Sequence, residues 1–128
     1  MRLLLDTHSF LWFVGGSTQL SAQARAIIED AANQPLLSIA SVWEMAIKYS
    51  LGRLALAQSF EEFVLQQMNL NGIGLLSITV EHTVVVAKLP FHHRDPFDRL
   101  LIGQAVVERL PLLSADGVFD MYTLNRLW

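Results

Sequence analysis

The sequence predicts an α/β fold in three layers, with a central, mainly parallel sheet of four to five strands covered on both faces by helices. Three observations carry this. Apolar runs of strand length recur at residues 2–5, 36–39, 75–78 and 112–114, and helical patterns fill the intervals between them. The chain, 128 residues and 52% hydrophobic, has the size and composition of one compact domain with a substantial core.

Each element has a local reason. Arg2 to Leu5 reads as a buried strand that stops at Asp6, followed by a short amphipathic stretch through Val14 and a loop at Gly15, Gly16 and Ser17. Ser21 is a suitable N-cap for a helix of strong formers reaching about Ala32. Leu36 to Ile39 is the second strand, and the helix carrying Trp43 and Glu44 runs on to a glycine stop near Gly52. Ser59 and Glu62 have capping-box spacing and should start a helix ending before Asn71 and Gly72. Leu75 to Ile78 is the third strand. Val84, Val85 and Val86 favour a strand by their branching, but Val80 to Lys88 lies between two strand-like runs, where a crossover helix is required, so a helix is expected. Asp95 and Pro96 cap a helix through Arg109, with proline at its favoured first position. Leu112 to Ser114 is a fourth strand, and the tail around Tyr122 to Leu124 offers a fifth.

Composition excludes several functions. Only 16% of residues are charged and mean hydropathy is +0.38, so the chain carries more apolar surface than a lone small domain readily buries, and a homodimer or a bound partner is expected. No apolar run approaches the roughly 18 residues of a membrane span, and the three leucines before Asp6 are too short for a signal-peptide core; a cytoplasmic location follows as the expectation. Without cysteine there is neither a disulfide framework nor a thiolate zinc site, which leaves oxygen and imidazole as metal ligands and favours a hard cation such as Mg²⁺. A net charge of −3 argues against holding nucleic acid by a general basic field. The nearest thing to a basic patch is His92, His93 and Arg94 with Arg99, candidates for contacting phosphates beside Asp98.

Four acids stand at the ends of apolar runs or inside them: Asp6, Glu44, Asp98 and Asp116. In open α/β sheets, ligands sit outside the carboxyl ends of the strands. Asp6 and Asp116 fall just past two proposed strands, and Asp98 lies in the first turn of a helix feeding one of them. At 100° per residue, Ser41, Glu44 and Lys48 share a narrow polar strip on a helix otherwise covered by Val42, Trp43, Met45, Ala46, Ile47 and Tyr49, and expected to be mostly buried. Each acid also has an ordinary explanation. Asp6 and Asp98 suit helix capping, Asp116 with Gly117 is a common turn pair, and Glu44 can pair with Lys48 four residues on. Two carboxylates about 4 Å apart repel by roughly 4 kcal/mol at an effective dielectric near 20, so four that converge call for a cation.

The ordered set of motifs resembles the PIN domain, and within it the VapC-type toxins of bacterial toxin–antitoxin pairs. The likeness runs through Asp6-Thr7-His8 with Leu11-Trp12, Ser41-Val42-Trp43-Glu44 with Ile47-Lys48, His93-Arg94-Asp95-Pro96-Phe97-Asp98-Arg99 with Gln104-Ala105, and Ser114-Ala115-Asp116 with Phe119 and Tyr122. It covers residues 1–128 as one PIN-like nuclease domain. Two departures are Ser114, where threonine is common, and Gly103, where alanine is more usual. The resemblance implies that Asp6, Glu44, Asp98 and Asp116 bind Mg²⁺ or Mn²⁺ and cut RNA by metal-activated water. It also implies a cognate antitoxin and a homodimer as partners, neighbouring roles for Thr7 and Ser114, and a catalytically inactive scaffold as the alternative. Asp95 is read as a cap rather than a ligand. Trp12 and Trp43 are read as core or interface anchors, and His8 as a packed or surface ring. A haloacid-dehalogenase-like phosphatase would need an aspartate at position 8, where His8 stands, and a receiver domain would need a late strand-terminal lysine that neither Lys48 nor Lys88 supplies.

Overall fold

A computed structural model describes residues 1–128. In chain order the elements are β1 (Arg2–Leu5), α1 (Thr7–Val14), α2 (Ala22–Glu29), β2 (Gln34–Ser38), α3 (Ile39–Ser50), α4 (Phe60–Leu70), β3 (Gly74–Leu76), α5 (Val80–Lys88), α6 (Pro96–Glu108), β4 (Leu112–Leu113), a 3₁₀ turn (Gly117–Met121) and β5 (Arg126–Leu127). The five strands form one sheet in the order β3-β2-β1-β4-β5, and every pairing is parallel.

Strand pleating divides the core in two. Leu3, Leu5, Leu37 and Leu113 face one side with Phe10, Ala24, Ile28, Met45 and Val64, so α1, α2, part of α3 and α4 cover that face. Leu4, Leu36 and Leu112 face the other with Leu101, Ile102, Ala105, Phe119 and Tyr122, so α6 and the 3₁₀ turn cover the second. The predicted three-layer α/β arrangement is the one observed.

Several boundaries differ from expectation, and those of α2 and α3 have a local reason. Helix α2 stops at Glu29 because Asp30 turns extended and its side chain accepts from Ala32 N at 2.9 Å, an alternative to another helical turn. Ile39 opens α3 instead of ending β2, because Ser38 caps that helix by accepting from Ala40 N at 3.0 Å. The third strand spans Gly74–Leu76 rather than running to Ile78, and the fourth ends at Leu113. Ser59 makes only half of a capping box, accepting from Glu62 N, whereas both reciprocal bonds form at Thr79 and His82. Val80–Lys88 is helical despite its three valines.

The fifth strand is Arg126–Leu127, not Tyr122–Leu124. Tyr122 is instead buried against the second core face, and the chain must pass it before reaching the sheet edge.

Gly103 lets α5 and α6 close on each other. A Cβ there would lie 2.7 Å from the His82 carbonyl oxygen and 2.8 Å from Val86 Cγ2. The glycine standing where the resemblance expects alanine thus has a packing cause.

Candidate active site

Strand order reverses direction on either side of β1, whose neighbours are β2 and β4. The carboxyl ends of β1 and β4 therefore open a crevice between the segments that leave them. A cleft of about 190 Å³ sits there, lined by Asp6, Thr7, His8, Glu44, Asp95, Asp98, Asp116 and Phe119. A wider hollow of about 400 Å³ at the opposite strand ends, by Gln34 and Pro35, has only Glu29 and Asp30 as acids.

Asp6 ends β1 and caps α1, its Oδ1 accepting from Ser9 N at 2.8 Å. Its Oδ2 accepts from Ser114 Oγ at 2.6 Å, and the residue is 7% exposed. The capping explanation and a role in the cleft are thus compatible, since each oxygen keeps a free lone pair.

Glu44 reaches the cleft from the polar strip of α3. Thr7 Oγ1 lies 2.6 Å from Glu44 Oε1 and 3.0 Å from Ser41 Oγ; with a single proton, the threonine donates to the carboxylate and accepts from the serine. Lys48 Nζ sits 3.1 Å from Glu44 Oε2. The helix is less buried than its pattern predicts: Trp43 is 59% exposed, in edge contact with Phe97, and Tyr49 is also exposed. Trp12 is half-buried, packed edge-on to Trp128 and stacked with the exposed ring of His8.

Asp98 rides in the first turn of α6, where the helix dipole favours an anion. Burial pushes its carboxyl from 3.8 up to about 7, and the negative charges of Asp95, Asp6, Glu44 and Asp116 push it in the same direction. All four neighbours belong to the cleft lining. Asp98 does not cap its own helix: Asp95 does, accepting from Phe97 N and Asp98 N at 2.9 and 3.0 Å. Asp95 lines the cleft as well, a position its capping motif did not disclose.

Asp116 caps the 3₁₀ turn, its Oδ1 accepting from Val118 N at 2.9 Å, while its own N–H donates to Ser114 Oγ at 3.0 Å. It is the most exposed of the four acids singled out in the sequence. Those four line one cleft together, but no three acids stand close enough to form a ready-made cation cage. Asp6, Glu44 and Asp116 are each tied to its walls, accepting from Ser9 and Ser114, from Thr7 and from Val118 respectively. The donor set, hard carboxylate oxygens with hydroxyls behind them, fits a hard divalent ion.

Folding breaks up the basic patch expected from the sequence. Arg99 is buried, its guanidinium donating to the carbonyls of Pro90 at 2.8 Å, Leu89 at 3.2 Å, Val86 at 3.3 Å and His93 at 3.5 Å, with Phe91 stacked at 4.1 Å. It holds the loop before α6 in place and has no face left for a phosphate. His93 is turned inward too, bonded to the Tyr122 hydroxyl. Arg94 and His92 remain exposed.

Known proteins share this architecture. The PIN domain family matches residues 3–123. Ribonuclease VapC16 of Mycobacterium tuberculosis is 41% identical over 61 residues, which are 48% of this chain and 43% of that protein, so the likeness spans less than half of the curated relative. Among solved structures, VapBC2 from Rickettsia felis bound to a promoter DNA fragment superposes with a TM-score of 0.70 at 12% identity, covering 99% of this chain and 98% of that one. VapBC-1 from nontypeable Haemophilus influenzae gives 0.68 at 15%, covering 99% and 97%, and FitAcB from Neisseria gonorrhoeae 0.65 at 18%, covering 100% and 97%. At those identities the structures share the fold. The family match, running from the first strand to the segment beyond the 3₁₀ turn, decides membership: this chain belongs to the PIN domain family.

Proposed function

We propose that this chain is a metal-dependent endoribonuclease and the toxin of a toxin–antitoxin pair. The observation that carries the reading is the cleft itself: five carboxylates at a parallel-sheet switch point, one of them pushed up to about 7 by burial and by the other four. A purely structural cluster of caps has no need to share one concavity.

Asp6, Glu44, Asp98 and Asp116 are the residues that would hold Mg²⁺ or Mn²⁺. Bound there, such an ion would offset the clustered negative charge and supply Lewis-acid chemistry toward phosphate and water. The remaining work belongs to the chain. Ser114 and the Ser9 amide fix the plane of the Asp6 carboxylate, and Thr7 with Lys48 fixes Glu44, so neither acid must reorganise when substrate arrives. With Arg99 occupied by backbone carbonyls, the RNA backbone would be held chiefly through the cation, and Arg94 and His92 are the exposed groups left to contact flanking phosphates.

The toxin role rests on the 41% identity to a ribonuclease named VapC16 and on the fold shared with proteins solved as toxin–antitoxin complexes. A cognate antitoxin and a second copy of the chain are the partners proposed, since Trp43, Leu75, Val80, Val84 and Phe91 leave apolar surface uncovered. Absence of cysteine suits a cytoplasmic setting, and no helix is long and apolar enough to cross a membrane.

The alternative is a scaffold that binds RNA or protein without cutting. Purified chain, free of any partner and supplied with Mn²⁺, is expected to cleave RNA, and Asp6→Asn to abolish cleavage while leaving the melting temperature of the metal-free protein within a few degrees. No cleavage together with no Mn²⁺-dependent rise in melting temperature would leave the scaffold reading in its place.

A further inference from the structure

We infer that His93 is a positioning residue for Asp98, its imidazole held in one tautomer by the buried hydroxyl of Tyr122. The inference rests on Asp98 being a cation ligand and adds the device that aims it.

The geometry begins at Tyr122, which is 7% exposed. Its hydroxyl oxygen accepts from the His93 backbone N–H at 3.3 Å and lies 2.8 Å from His93 Nδ1. A phenol has one proton, and in this enclosed position Nδ1 is the acceptor it meets. The neutral ring therefore carries its own proton on Nε2. That nitrogen is buried, has no hydrogen-bond partner of acceptable angle, and stands 3.4 Å from Asp98 Oδ2. Buried donors are nearly always paired, so an unpaired one beside a carboxylate of the cleft needs an explanation. A carboxylate has two oxygens. With one committed to a cation, the other is the natural acceptor for Nε2–H, and the ring would fix the direction in which the first oxygen points.

The ring is also prevented from turning away. It packs edge-on to Phe119 at 6.2 Å and to Tyr122 at 5.4 Å, and its carbonyl is one of those gripped by Arg99. Tyr122, His93 and Asp98 thus form a chain leading from the second core face to the cleft, and its first member occupies the position where the sequence suggested a strand. Nothing in this chain depends on His93 taking up charge.

The test is Mn²⁺ titration by isothermal calorimetry on the full chain and on Tyr122→Phe, His93→Phe, His93→Gln and Asp98→Asn. Phenylalanine at 93 keeps a ring but loses the donor; glutamine keeps a donor at similar reach. The expectation is affinity lowered about tenfold or more in His93→Phe. It should fall by less in Tyr122→Phe, which removes one oxygen and keeps the fold, and return close to the parent value in His93→Gln. RNA cleavage at fixed Mn²⁺ should follow the same order and recover as Mn²⁺ is raised. Parent affinity in both His93→Phe and Tyr122→Phe overturns the positioning role, as does His93→Gln binding no better than His93→Phe. If Asp98→Asn binds Mn²⁺ as the parent does, or the parent binds none, the ligand reading of Asp98 falls first and the inference falls with it.

Discussion

Ser114 Oγ donates to Asp6 Oδ2 at 2.6 Å, joining the ends of β4 and β1 across 108 residues of sequence. The same oxygen accepts from Asp116 N, so one buried hydroxyl orients an acid on each side of the crevice. Charge-assisted bonds of this kind contribute about 1.5–3 kcal/mol. Ser114→Ala should therefore weaken Mn²⁺ binding and lower cleavage, while Ser114→Thr, which keeps the hydroxyl, should retain both. Unchanged calorimetric affinity in the alanine variant would show that the hydroxyl is dispensable.

Asp98 sets a pH dependence of known sign. Its carboxyl is raised from 3.8 to about 7, so between those values the folded protein holds a proton that the unfolded chain has released. Stability from this group is present in full below about pH 4 and is lost as pH rises toward 7. Asp98→Asn cannot ionise. Metal-free melting curves should accordingly show the parent falling behind the variant as pH rises from 4 to 8, with Mg²⁺ or Mn²⁺ narrowing the gap at the upper end by raising the parent alone. Parallel curves across that window would contradict the assignment.

Arg99 and Arg94 should separate sharply under substitution. Removing the Arg99 guanidinium takes the donor from the carbonyls of Leu89 and Pro90, while the Val86 carbonyl keeps its bond from Leu89 N, at a cost of about 1–3 kcal/mol, and releases the loop that carries His93. Arg94, exposed, should change stability by less than about 0.5 kcal/mol when truncated to alanine. Urea denaturation of the two alanine variants measures the contrast; equal midpoints would refute it.

Gly103→Ala should destabilise the chain by about 1–3 kcal/mol, the range for overpacking a close contact. The obstacle at 2.7 Å is the backbone carbonyl of His82, which cannot rotate aside like a side chain. Because α6 also carries Asp98, a loss of Mn²⁺ affinity should accompany the drop in melting temperature. A variant as stable as the parent would mean that α5 shifts freely.

Most of the architecture is written locally. Apolar runs of strand length, hydroxyl and carboxylate caps at Ser21, Ser59 and Asp95, and glycine at 52 depend on neighbours within a few residues, so they are readable in order along the chain. The four acids at the ends of apolar runs are readable for the same reason. What sequence reasoning missed depends on residues far apart. Arg99 looks like a phosphate contact until the loop folds its carbonyls around it, and Asp95 looks like a cap alone until the cleft closes beside it. Tyr122 looks like strand until the second core face claims its ring, and His93 like a surface cation until Tyr122 turns it inward. A cap or a period is a property of a segment, whereas burial, the partner of a charged group and the meeting of β1 with β4 are properties of contacts between segments, and only the packed sheet determines those.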